Sequence, residues 1–183
     1  MTGLLLTLIA VVLAGVGARD QVTLAGLAER NGASAGLLAT GIVVAVASAS
    51  AAAWAATAIS PMLTPGARLI FAAMALAAAG IESLLLSPGR KPQEPTHSLG
   101  ALAIVLLAHQ LTDAARFLVL AIAVATAAPI AAGVGGAAGG AVVLSAAWLA
   151  PEVWRDPRLL LARRAIGAVL LLVAAVLAGK VLL

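Results

Sequence analysis

Cysteine is absent from the 183 residues, which excludes disulfides, thiolate metal sites and thiol catalysis. Tyrosine is absent as well, and three Trp and two Phe are the whole aromatic complement. No base-stacking platform can be built from so few rings. Charge is the third scarcity: Asp, Glu, Lys and Arg make up 10% of the chain, against roughly 25% in a soluble domain. With 63% hydrophobic residues and a mean hydropathy of +1.15, such a chain cannot cover its surface with polar groups. It reads as an all-α integral membrane protein, whose first partner is the lipid bilayer. The pI of about 11.2 rests on only 11 Lys and Arg, gathered mostly at the ends of apolar runs. That placement is topology information rather than a phosphate-binding face, so no nucleic-acid partner is expected. No GxSxG, HExxH or P-loop pattern occurs, and nothing supports enzyme chemistry.

Six apolar stretches are long enough to cross a hydrocarbon layer of about 30 Å: 3–28, 34–59, 67–86, 98–126, 129–150 and 160–183. Turn chemistry separates them at Asn31-Gly32, Ser60-Pro61 to Pro65-Gly66, Pro88-Gly89 to Pro95, Pro129, and Pro151 to Pro157. The first stretch has the apolar length of a signal peptide, but Met1-Thr2 supplies no positive n-region. It reads as a retained span.

The only polar linker of any length, residues 87–98, divides the chain into halves 1–86 and 99–183. Each half opens with an Asp-bearing span (Asp20, Asp113) and continues into a small-residue span ending in Trp (Trp54, Trp148). A Pro-containing turn then leads to a third span opened by Ala-Arg (Ala67-Arg68, Ala162-Arg163). The three offsets are 93, 94 and 95 residues, as a duplication with small insertions produces. An odd number of spans per half makes the repeats inverted in the membrane. Arg30, Arg90, Lys91, Arg155, Arg158, Arg163 and Arg164 then share one face, against Arg68 and Lys180 on the other. Positive charge marks the cytoplasmic side, so the expected location is a bacterial inner membrane with both termini outside the cytoplasm.

Asp20 and Asp113 lie inside these apolar spans, near the midplane. An ionisable group at that depth costs at least ~2.5–3.5 kcal/mol and is a functional hypothesis by default. Arg19 and Asp20 are adjacent and point about 100° apart on a helix, whereas Asp113 and Arg116 stand at i, i+3 and can pair. Gln21, Thr23, His109, Gln110 and Thr112 add polar groups around them. They suit a hydrated site between the halves, with the carboxylates binding a cation or a proton. The alternative is a pair of structural ion pairs, which rarely add net stability. His109 could relay protons or make one helix-interface hydrogen bond. Glu82 is expected at the cytoplasmic interface, solvated, and His97 in the linker. Gly135-xxx-Gly139 and Gly136-xxx-Gly140 let helices approach closely, against the Asp-bearing spans or across a homodimer.

Two three-span repeats, a central linker and an acidic position in the first span of each repeat resemble the Gdt-type (MneA-like) family of small six-helix manganese exporters. That family carries Glu-x-Gly-Asp-(Lys/Arg)-(Thr/Ser) in the first helix of each repeat. The aspartates match as Asp20 and Asp113, while Gly17 and Gln110 stand at the Glu positions and Arg19 and Thr112 at the Gly positions. Gln21 and Ala114 replace the basic residues, and Val22 and Ala115 the hydroxyls. The resemblance implies Mn²⁺ or Ca²⁺ exchanged for protons by alternating access, with no resident cofactor. Asp20 and Asp113 would bind the ion, Gln110 and Thr112 would be auxiliary ligands, and Arg19, Gln21, Thr23, His109 and Arg116 would line the path. Asp20, Asp113, Arg19 and Arg116 sum to no net charge, which suits a hard divalent cation poorly. Export of a small zwitterion or anion is the first alternative, marked by Arg19 and Arg116 facing the repeat interface. A non-transporting membrane partner is the second.

Overall fold

The starts of the long helices follow local chemistry. Ser34, Thr64 and Ser98 each accept an amide three residues on, from Leu37, Ala67 and Ala101, the N-cap bond that satisfies an orphan donor. Pro65 and Pro129 occupy first helical positions, where a missing N–H costs nothing. A computed structural model describes residues 2–86, 98–156 and 158–182. Its helices are α1 (Thr2–Gly15), α2 (Arg19–Asn31), α3 (Ala35–Ile59), α4 (Pro65–Leu85), α5 (Leu99–Leu111), α6 (Ala114–Thr126), α7 (Pro129–Leu149) and α8 (Arg158–Leu182). Short 3₁₀ turns cover Ser60–Met62 and Val153–Arg155, and no strand occurs among the described residues.

Four of these helices are long and apolar enough to cross a membrane, or six spans if each bent pair counts as one. The outer surface agrees: Val43, Ile104, Ile130, Leu161 and Leu172 are exposed, a liability in water and the normal contact with lipid. Four expected spans, 34–59, 67–86, 129–150 and 160–183, match α3, α4, α7 and α8 to within two residues.

The other two are corrected. Residues 3–28 and 98–126 are not continuous helices: α1 and α2 meet at 62°, and α5 and α6 at 53°. At the first break Gly17 takes φ +73°, a left-handed conformation that glycine enters without a Cβ penalty. The second break has neither Gly nor Pro. Asp113 is extended (φ −93°, ψ 151°), and its carbonyl accepts from Arg116 and Phe117 to start α6. Both breaks fall beside the aspartates, so Asp20 lies in the first turn of α2 and Asp113 caps α6.

The order of one bent pair followed by two long helices therefore occurs twice. The expected linker 87–98 lies, but for Ser98, outside the described residues. In the packing, α7 runs along α1, α3 along α5, α6 and α7, and α4 along α6 and α8. Small residues set the closest approach. A Cβ on Gly135 would overlap the Leu4 carbonyl, and one on Gly139 would stand 3.0 Å from the Leu8 carbonyl. The glycine run thus packs α7 on α1 within the chain, as the spacing predicted for an Asp-bearing span. A core of Leu24, Leu27, Leu37, Val44, Leu106 and Leu144 closes α2, α3, α5 and α7 around one end of the two breaks.

Candidate functional site

The two breaks bring polar side chains from six helices together in two networks. The first is centred on Asp20, which is 6% exposed. Its Oδ1 accepts from the Gln21 backbone N–H at 2.8 Å and its Oδ2 from Gln110 Nε2 at 3.0 Å. Gln110 Oε1 in turn accepts from Ser48 Oγ at 2.8 Å. Ser48 therefore sets which way the Gln110 amide points, and the amide presents its N–H side to Asp20. Among the described residues Asp20 has no basic side chain within 4 Å, so it is the one acidic side chain of the cluster not in an ion pair.

The second network is centred on Glu82 of α4 and Arg163 of α8. Arg163 Nη2 makes a short bond to Glu82 Oε2 and reaches Asp113 Oδ1 at 3.2 Å. Arg19 Nη2 lies 3.5 Å from Glu82 Oε1 and donates to Thr112 Oγ1 at 2.9 Å. The Ala114 N–H, first in α6, donates to Glu82 Oε2 at 3.4 Å. Arg163 is fully buried, and Glu82 and Asp113 are 5% and 4% exposed. A buried charge persists only when paired and hydrogen-bonded, and here each carboxylate has a guanidinium.

Arg116 stands between the networks. It is 5% exposed, and its Nε and Nη1 meet no acceptor. The expected Asp113–Arg116 pair does not form, because the break turns Asp113 into the cap of α6 and toward Arg163. Arg116 instead runs to α7, its Nη2 3.2 Å from where a Gly140 Cβ would stand, with Ala45 of α3 against the same point. Arg19 and Arg116 both face the meeting of the two halves.

Of the expected residues, Asp20, Asp113, Gln110, Thr112, Arg19, Gln21 and Arg116 converge. Thr23 does not: its hydroxyl donates to the Arg19 carbonyl on its own helix. His109 sits at the rim, half-buried, with Nδ1 unpaired. Thr112 Oγ1 is taken by Arg19 and Gln110 Oε1 by Ser48, so neither oxygen is free for a cation in this arrangement. Among the described residues no three His, Asp or Glu side chains converge as metal ligands.

Glu82, Arg163 and Ser48 were missed. Glu82 was expected solvated at the interface, and Arg163 was counted as a topology-setting charge. Both are interior, and removing Arg163 leaves the positive-side tally at six against two. The cost of a lone acid inside an apolar run, applied to Asp20, applies equally to Glu82 in Gly80-Ile81-Glu82-Ser83. Asp20, Glu82 and Asp113 against Arg19, Arg116 and Arg163 sum to zero. No family model matches the chain, and no curated protein and no solved structure is significantly similar to it.

Proposed function

We propose that this protein is a multi-pass membrane transporter that moves a small solute by alternating access at the polar cluster between its two bent helix pairs. The observation that carries the reading is the burial of three carboxylates, two guanidiniums, Gln21, Gln110 and Ser48, with the half-buried Arg19 beside them, around two helix breaks in an otherwise apolar chain. Such groups are expensive at bilayer depth, and stability alone rarely retains them. Discontinuous helices facing a central site are how inverted-repeat transporters present backbone dipoles to cargo. The twofold recurrence of bent pair, long helix, long helix is what such a repeat requires.

For the cargo, charge balance favours a small anion or zwitterion. The cluster is neutral, and Arg19 Nε, Arg116 Nε and Nη1, and Arg163 Nε and Nη1 have no acceptor. Unfilled buried donors attract an anion and repel a dehydrated Mn²⁺ or Ca²⁺. Cation–proton exchange, the activity that the Gdt-type resemblance implies, is the second reading. One observation favours it: Asp20 carries a carboxylate without a basic partner, beside Gln21, whose Oε1 is also unfilled.

Flux into proteoliposomes separates the readings, with small carboxylates, phosphate, zwitterionic amino acids, Mn²⁺ and Ca²⁺ as the panel. The expected result is uptake of an anion or zwitterion, reduced at least about tenfold by Arg116→Met or Asp20→Asn. Uptake of Mn²⁺ or Ca²⁺ that depends on Asp20 transfers the assignment to cation exchange. No flux of any solute sinks the transporter reading.

A further inference from the structure

Glu82 occupies a position built for a free anion. Its carboxylate lies at the start of α6, on the Ala114 N–H, where a helix of 13 residues concentrates unpaired amides and positive potential. Guanidiniums from two other helices close on it, Arg163 from α8 at Oε2 and Arg19 from α2 at Oε1. Yet Glu82 fills this seat incompletely. Its Oε1 receives no hydrogen bond, and Arg163 Nε and Nη1 and Arg19 Nε donate to nothing, although Arg163 is 0% exposed. A carboxylate free to turn would take the Arg163 fork through two parallel bonds, a geometry that a side chain rooted on α4 does not reach. Asp113, which shares Arg163 Nη2 at 3.2 Å, and Thr112, which holds Arg19, complete the surroundings. Arg19 is the most exposed of the charged groups here, its side chain 19% exposed.

We propose that Arg19, Arg163 and the first amide of α6 form a carboxylate-binding seat, with Glu82 as a tethered occupant that a small free carboxylate displaces. As the docking point of cargo, the seat rests on the anion or zwitterion reading above; as a binding site it stands apart from transport. Displacement has a mechanical result. Glu82–Arg163 and Glu82–Ala114 join residues of the first half to residues of the second, and a free anion carries no such tether. Exchange of Glu82 for cargo therefore removes the polar ties of α4 to α6 and α8 and leaves only their apolar packing, coupling occupancy to the freedom of the halves.

The test uses the purified full chain in detergent, with formate as the probe and ionic strength held constant with sodium chloride. Thermal unfolding is followed against formate for wild type, Glu82→Ala and Glu82→Gln, since a ligand that binds the native state at free concentration L stabilises it by RT ln(1 + L/Kd), from which its Kd is read. Glu82→Gln keeps the side-chain volume and preserves the test if the alanine variant does not accumulate. The formate Kd is expected to fall at least about tenfold from wild type to Glu82→Ala, with Glu82→Gln between them. Variants that respond to formate no more than wild type overturn the seat. Tighter formate binding in the variants without flux of any solute keeps the seat and fails the transport reading; anion flux with formate-insensitive variants does the reverse.

Discussion

Glu82 and Arg163 meet because the helices that carry them cross glycine to glycine. A Cβ on Gly80 would stand 2.8 Å from the Gly167 carbonyl, and one on Gly167 would stand 2.9 Å from the Gly80 carbonyl. Gly80 precedes Glu82 by two residues and Gly167 follows Arg163 by four, so the close crossing sets the reach of the ion pair. Gly80→Ala or Gly167→Ala should destabilise the detergent-solubilised protein by roughly 1–3 kcal/mol. Gly26→Ala, whose Cβ would meet nothing within 4 Å, should instead stabilise it by up to about 1 kcal/mol through helix propensity. Equal effects at the two kinds of site would contradict the packing.

Removing Arg163 strands Asp113 and, among the described residues, leaves Glu82 only Arg19 at 3.5 Å. Arg163→Met leaves Glu82 and Asp113 buried on a site that has lost their shared cation, and breaking a buried pair this way costs about 3–5 kcal/mol. Adding Glu82→Gln should recover a large part of the loss, a coupling of at least about 1 kcal/mol in a double-mutant cycle. Additive losses would show that the two side chains do not share an interaction.

Asp20 and Arg116 should reveal a conflict between stability and activity. They are opposite charges, both buried, not in contact within 4 Å, and Arg116 has unfilled donors. Replacing both, as Asp20→Asn with Arg116→Met, keeps the cluster neutral and removes two desolvated charges. Such neutral replacement is often stabilising by about 1–4 kcal/mol. The expected outcome is a raised unfolding temperature together with lost solute flux. A double variant that is less stable than wild type would mean that the two charges hold the fold.

Ser48 acts through Gln110. Ser48→Ala removes the donor that fixes the amide, at a cost of about 1–3 kcal/mol for the unsatisfied Gln110 Oε1. The amide is then free to turn its oxygen toward Asp20, which repels the carboxylate. Flux should fall more in Ser48→Ala than in Thr23→Ala, whose hydroxyl bonds only to its own helix. Equal flux in the two variants would remove Ser48 from the site.

Much of the architecture is legible in composition and punctuation. Apolar length and turn residues placed α3, α4 and α7 to within two residues, because Asn31-Gly32, Ser60-Pro61 to Pro65-Gly66 and Pro129 act locally. The break at Thr112–Asp113 is not legible: no Gly or Pro lies between residues 101 and 128, and Asp113 and Thr112 are held there by Arg163 and Arg19 from helices distant in sequence. Gly17 was a visible signal at the other break, although a lone glycine in an apolar span also reads as packing. Asp20 and Asp113 were found through the cost of charge in lipid. Glu82 and Arg163 escaped because both lie near span ends in sequence, where solvation is the default, and only the α4–α8 crossing draws them inside.

The position of Arg163 on α8 also bears on how the chain is made. Spans enter a bilayer in order of synthesis, and Glu82 and Asp113 are in place before α8 exists. Until α8 arrives, among the described residues Glu82 has only Arg19 beside it, and Asp113 has no guanidinium within ion-pair distance. α8 thus carries the counter-charge that completes the cluster, so a nascent chain halted before Arg163 would be a target for quality-control proteases rather than a smaller version of the folded protein.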